Sequence, residues 1–214
     1  MRSLLLVFCV AAAVVSCSKS EDVGDQNSSP DNDFFALKVG NSWVYKNYLY
    51  DSASESYLES TVVDSVSITA TEEISGETYF VFRRNTVGNE DGLTVCNPNG
   101  EHYERLRALD GQLVNENGDV KFTYTDYSER VVQSEDWGTV YETLQDYDST
   151  LTVEAGEFEC MFSERYVKTT QGDQFPATDR FFYASGTGLI YDTSSYASSD
   201  KPAVIRRLYS YSVQ

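Results

Sequence analysis

Histidine is nearly missing from this chain: His102 is the only one among 214 residues. One imidazole and a few thiols cannot supply an ordinary structural zinc site. A Ser-His-Asp arrangement would have a single candidate base, and no nucleophile motif surrounds Glu101-His102-Tyr103-Glu104, which reads as ordinary strand. Basic residues are also scarce, 16 Lys and Arg against 34 Asp and Glu, giving a formal net charge of −18. Such a field repels a phosphate backbone, so nucleic acid is not an expected partner. Solubility and mutual repulsion on a crowded surface account for the charge without a special role. Cysteine is too sparse for a disulfide scaffold: Cys9, Cys17, Cys96 and Cys160 are all there are. No apolar run reaches the roughly 20 residues of a spanning helix, because Leu4–Val15 soon meets Lys19 and Glu21-Asp22.

The short apolar run has another reading. Met1-Arg2 is a positive start, residues 3–18 carry no charge, and Val14-Val15-Ser16-Cys17 follows. That order is a signal peptide over residues 1–16. Val14-Val15-Ser16-Cys17 resembles the lipobox of bacterial lipoproteins, with Val14 where Leu is commonest. The resemblance implies cleavage after Ser16 and lipid, palmitate included, on Cys17. Two or three acyl chains then hold the protein on a membrane, each buried CH₂ contributing about 0.8 kcal/mol. An ordinary secreted protein cut near the same place is the alternative. Ser18-Lys19-Ser20-Glu21-Asp22 is similar to the acidic stretch behind the lipidated cysteine of Bacteroidota-type surface lipoproteins. That similarity implies the outer membrane, with the cell surface as one face open to it. Residues 17–33 are polar and rich in Asp, Asn and Ser, so they read as a flexible, disordered tether.

Residues 34–214 then form one all-β domain. Alternation and turn pairs dominate, and apart from the signal helix no helix is expected. Val62, Val66 and Ile68 share one parity. Asx-Gly pairs at Asp91-Gly92, Asn99-Gly100, Asp110-Gly111 and Asn117-Gly118 supply the positive φ that tight hairpins need. Short strands are predicted between them, including Leu93–Cys96, and further strands run on to Val204–Tyr211. Thr125–Trp137 and Asp192–Asp200 read as long loops. About 11 or 12 strands with short connections should pair with their sequence neighbours and curl to protect their edges. The expected architecture is a large curved antiparallel sheet or an open barrel, with a two-sheet sandwich as runner-up.

Three segments carry a second resemblance: Phe34–Tyr45 with Gly40-Asn41-Ser42-Trp43-Val44-Tyr45, Thr152–Cys160 with Ala155-Gly156-Glu157-Phe158-Glu159-Cys160, and Tyr183–Ile190 with Gly186-Thr187-Gly188-Leu189. Together they are similar to a poorly characterised group of bacterial, Bacteroidota-type envelope lipoproteins. Ala36 and Ser185 stand where that group tends to have proline. The resemblance implies an all-β, curved-sheet envelope protein and brings no catalytic residue. On physical grounds the segments are structural. Gly40-Asn41 turns the chain so that Trp43 and Tyr45 share a face, and Phe158, Cys160 and Phe162 alternate onto another. Gly-Thr-Gly lacks the strand-loop-helix context and the Lys of a phosphate loop.

No catalytic residue, metal or cofactor is therefore expected. Asn89-Glu90-Asp91 and Asn115-Glu116-Asn117-Gly118-Asp119 lack EF-hand order. Cys96 and Cys160 are open to a disulfide or to separate burial. The leading expectation is a non-enzymatic, lipid-anchored protein that binds a small molecule, a glycan or a protein partner. The alternative is a hydrolase of envelope or extracellular polymers, which would need two carboxylates across a cleft or His102 beside a Ser hydroxyl.

Overall fold

A computed structural model describes residues 29–214. The signal peptide, Cys17 and the tether as far as residue 28 lie outside the described residues. One short helix, α1 (Pro30–Phe34), precedes the strands β1 (Ser42–Asp51), β2 (Ser56–Ile74), β3 (Glu77–Val87), β4 (Gly100–Leu109), β5 (Gln112–Asn115) and β6 (Val120–Thr123). Then come β7 (Arg130–Glu135), β8 (Gly138–Leu144), β9 (Ser149–Val153), β10 (Gly156–Thr169), β11 (Gln174–Ala184), β12 (Gly188–Ser194) and β13 (Val204–Ser212).

The strands run in the order β6-β5-β4-β3-β2-β1-β13-β12-β11-β10-β8-β7, with β9 paired to β10 off that path. Every pairing is antiparallel. The sheet is a meander whose first and last strands meet, and it is broken between β6 and β7, which are consecutive in sequence. The fold is all-β, a nearly closed barrel, as the alternation predicts. Arg130 bridges the break: its Nη1 donates to the Val120 carbonyl at 2.8 Å and its Nη2 to Glu142 Oε1 at 2.5 Å.

Turn chemistry is legible where expected. Asp110 and Gly111 adopt φ of 50° and 79°, the paired left-handed residues of a tight hairpin. A Cβ on Gly111 would fall 2.4 Å from the Thr125 side chain, so the position excludes larger residues on two counts.

Four expectations need correction. Residues 30–33, assigned to the tether, form most of α1, capped by the Ser29 hydroxyl at 3.1 Å from Asn32 N. Asp31 fastens this turn to the barrel by accepting from Gly111 N at 3.0 Å and from the Tyr124 hydroxyl. Leu93–Cys96 is loop, because the Asn89 side chain bonds Leu93 N and the Leu93 and Asn97 carbonyls, coiling the segment back on itself. Its apolar groups are buried by capping the barrel near Val62 and Val204 rather than by strand pairing. Thr125–Trp137 contains β7, an edge strand formed by backbone pairing with β8 while most of its side chains stay exposed, which erases the alternation. The loop expected from Asp192 starts only after Ser194.

The main core gathers Phe35, Leu37, Trp43, Tyr45, Phe80, Phe122 and Leu208 with Cys160, whereas Cys96 belongs to a smaller cluster. Both cysteines are buried free thiols, so the pair left open as a disulfide is instead two separately packed groups. Burial pushes the Cys160 thiol up to about 12, with the Asp148 charge adding to it.

Candidate functional site

The face of the sheet that turns inward is set by strand parity. Trp43 pairs with Val66, Val66 with Arg84, and Arg84 with His102, so one row of interior side chains crosses β1 to β4. A second row follows Asn47, Arg206, Asp192, Phe181 and Ser163 across β1, β13, β12, β11 and β10. Between these rows lies a cavity of about 580 Å³, lined by Trp43, Tyr45, Phe82, Phe181 and Tyr183 and by Arg84, Arg165 and Arg206. That size falls inside the range of about 300–1,000 Å³ usual for small-molecule sites. His102, Glu104, Glu116 and Lys121 also line it. A smaller cavity of about 240 Å³ shares Arg165, Phe181, Asp192 and Arg206 as its wall.

The aromatic end is held by the segments singled out in the sequence. Trp43 Nε1 donates to the Thr187 carbonyl at 2.7 Å, and the Tyr45 hydroxyl to the Leu189 carbonyl at 2.9 Å. The first and third segments thus meet inside the barrel, 144 positions apart in sequence. Gly188 adopts φ of 89° with the indole of Trp43 about 4.0 Å from where a Cβ would stand. Asn41 locks the entry, donating to the Ala36 carbonyl at 2.8 Å and accepting from Gln214 N at 3.0 Å. Burial lifts the Tyr45 and Tyr183 hydroxyls far above the usual tyrosine range, so both stay neutral donors. The second segment faces away from the cavity. Phe162 and Cys160 are buried on the side of β10 opposite Ser163 and Arg165, with Phe162 stacked on Phe182 at 4.7 Å between centroids.

The other end is ionic. Arg206 forms a two-point fork on Asp192, with Nε donating to Oδ1 at 2.9 Å and Nη2 to Oδ2, and its Nη1 lies 3.8 Å from Asp64 Oδ2. Asp64 is fully buried and accepts from Asn47 at 2.9 Å, Thr86 at 2.5 Å and Asn97 at 3.0 Å. Burial alone would raise its carboxyl. Arg206 and these three donors outweigh burial and hold it below the usual range. Asp192 goes the other way: burial outweighs the attraction of Arg206 and lifts its carboxyl above that range. Glu142, also buried, accepts from Arg130 at 2.5 Å, Arg165 at 2.7 Å and Ser163 at 3.0 Å.

One cation breaks the pattern. Lys121 pairs with Glu104 at 2.5 Å, Arg165 with Glu142 and Arg206 with Asp192, while Arg84 makes no ion pair within 4.0 Å among the described residues. Its Nε is buried with no hydrogen-bond acceptor on the protein. Burial lowers its pKa, with Asp64 pulling back the other way. A buried donor left unmatched costs about 1–3 kcal/mol, so the position calls for an explanation.

No family model matches this chain, and no curated protein matches it. Two solved structures are similar to it. A candidate exported protein with a YmcC-like fold from Bacteroides fragilis covers 84% of this chain and 98% of its own, at 13% identity and TM-score 0.49. A candidate lipoprotein from Parabacteroides distasonis gives the same coverage and score at 12% identity. The all-β architecture described above rests on this chain's own strand pairings.

His102 lies on the cavity wall, where its Nε2 meets the Pro98 carbonyl at 3.1 Å rather than a serine hydroxyl. Asn115 uses its Oδ1 to bond Asn117 N and Asp119 N, so that acidic stretch is an Asx turn. No group of three or more His, Cys, Asp or Glu among the described residues is arranged to hold a metal ion. Sequence reading missed Asp64, Arg84, Glu142, Arg165, Asp192 and Arg206. Parity was the available signal. Asp64 falls in step with Val62, Val66 and Ile68, Arg84 with Phe80 and Phe82, and Arg206 with Val204 and Leu208.

Proposed function

We propose that this chain is a lipid-anchored protein of the bacterial envelope, held on the outer membrane through Cys17, that receives a ligand inside its barrel and performs no chemistry on it. The observation that carries the binding role is the aromatic cavity between the two interior rows. A solid core would have left a scaffold as the better reading. The anchor rests on the leader and on Val14-Val15-Ser16-Cys17. The non-enzymatic reading is supported by the partners of the candidate groups: His102 on a carbonyl, Glu104 on Lys121 and Asp192 on Arg206.

Two measurements test these parts separately. Palmitate labelling in cells should disappear in Cys17→Ala, and labelling that persists would remove the anchor. In detergent, the neutral dye aminoanthracene should brighten on binding the wild-type protein. Val66→Trp, which fills the cavity from the β2 wall, should abolish the response while leaving the thermal transition cooperative. Equal brightening in that variant would place the dye elsewhere and remove the cavity as a binding site.

A further inference from the structure

The chain carries 34 acids against 16 bases, yet four of those bases, Arg84, Lys121, Arg165 and Arg206, line one cavity. Three of the four are each neutralised by a carboxylate of the protein, and Arg84 is not. Its guanidinium lies in a row with Val66 and Trp43 on one side and His102 on the other. The adjoining surface is apolar, with Trp43 stacked on Phe82 at 6.2 Å between centroids. Arg206 shows what an arginine does in this interior when an acid is at hand: it offers the Nε and Nη2 edge to both oxygens of Asp192. On Arg84 the Nε is buried with no acceptor, and the two Nη groups, which make no hydrogen bond among the described residues, are the pair of donors left to a ligand in the cavity that Arg84 lines.

We infer that the ligand of this cavity is an amphiphilic carboxylate, its anionic group taken by Arg84 and its apolar body laid against Trp43, Val66 and Phe82. This rests on the cavity being the binding site, and it specifies the chemistry. A planar fork suits a carboxylate, which takes two parallel hydrogen bonds from it. A ligand without an acceptor would leave Arg84 unmatched, and a cationic one would place like charge beside the one base of this wall that no carboxylate of the described residues neutralises. The negative surface of the molecule does not argue against an anion, because exposed charges beyond a Debye length of about 10 Å are screened at ordinary salt.

The test uses the full chain in detergent with Trp137→Phe, which leaves Trp43 as the sole indole. Trp137 is exposed and stands outside the cavity. Fluorescence of Trp43 is titrated with phenylbutyrate, phenylbutanol and phenylbutylamine, which share one body and differ in charge. Phenylbutyrate should bind about tenfold more tightly than the alcohol, the gain of a charge-assisted pair, and the amine most weakly. Arg84→Gln should bring acid and alcohol to parity without weakening the alcohol, and Arg84→Lys should keep part of the preference. Alcohol binding as tightly as acid, or a preference that survives Arg84→Gln, overturns the carboxylate assignment and leaves the cavity reading standing. If none of the three perturbs Trp43, both fall. Thermal melts of each variant exclude unfolding as the cause.

Discussion

The two ends of the barrel interior are built on opposite principles. Around Trp43, Phe35, Phe122 and Tyr183, large rings pack together and polar atoms are few, with the Trp43 indole and the Tyr45 hydroxyl each finding a backbone carbonyl. Around Arg206, charges are buried against named partners, Arg206 on Asp192 and Asp64 under Asn47, Thr86 and Asn97. The first end tolerates adjustment, because apolar groups of similar volume can repack at modest cost. The second does not, because a buried charge that loses its counterpart has nothing to replace it. The cavity sits at the boundary between them, which gives it an apolar wall and a charged wall at once.

Breaking the ionic end should produce the largest effect. Arg206→Ala strands Asp64 and Asp192 in the interior and should cost about 3–5 kcal/mol in urea unfolding, the usual penalty for an orphaned buried charge. Arg206→Lys keeps the charge and loses the fork, so it should fall between that variant and the wild type. A loss below about 1 kcal/mol for Arg206→Ala, within the range of exposed ion pairs, would mean that this end is wetter than its burial indicates and that the contrast is false.

The same contrast explains what could be read from the chain. The barrel was legible because β-structure leaves its mark in local rules: alternation from Trp43 onward, Asx-Gly at the hairpins, and an aromatic first strand. The aromatic wall followed from those rules, since Trp43 and Tyr45 share a parity and Gly40-Asn41 aims them. The ionic wall did not. A charged residue among apolar neighbours, as Asp64 is, looks the same in sequence whether its strand curves toward water or around a cavity. Only the pairing of Arg206 with residues of β2 and β12, far apart along the chain, makes its burial tolerable. Edge strand β7 was invisible for the opposite reason: with little side-chain burial, its order comes from backbone bonds that sequence does not encode.

A finer measurement sharpens the contrast within the ionic end itself. Asp64 and Asp192 share Arg206, but their carboxyls are displaced in opposite directions. Asp64 titrates below an unfolded aspartate, so the stability it contributes is present above about pH 4 and lost as pH falls through its folded value. Asp192 titrates above an unfolded aspartate, so the folded state binds its proton first. As pH falls from neutrality through that raised value, the protein gains stability from Asp192 before Asp64 begins to remove it. Unfolding free energies of the wild type minus those of Asp192→Asn should therefore rise on acidification, in a window above about pH 4. The difference from Asp64→Asn should fall, and at lower pH. Both changes are smaller than the loss in Arg206→Ala, because each alters one proton rather than leaving two charges unmatched. Two curves sloping the same way would mean that donor count does not separate the two acids, and that Arg206 alone sets both.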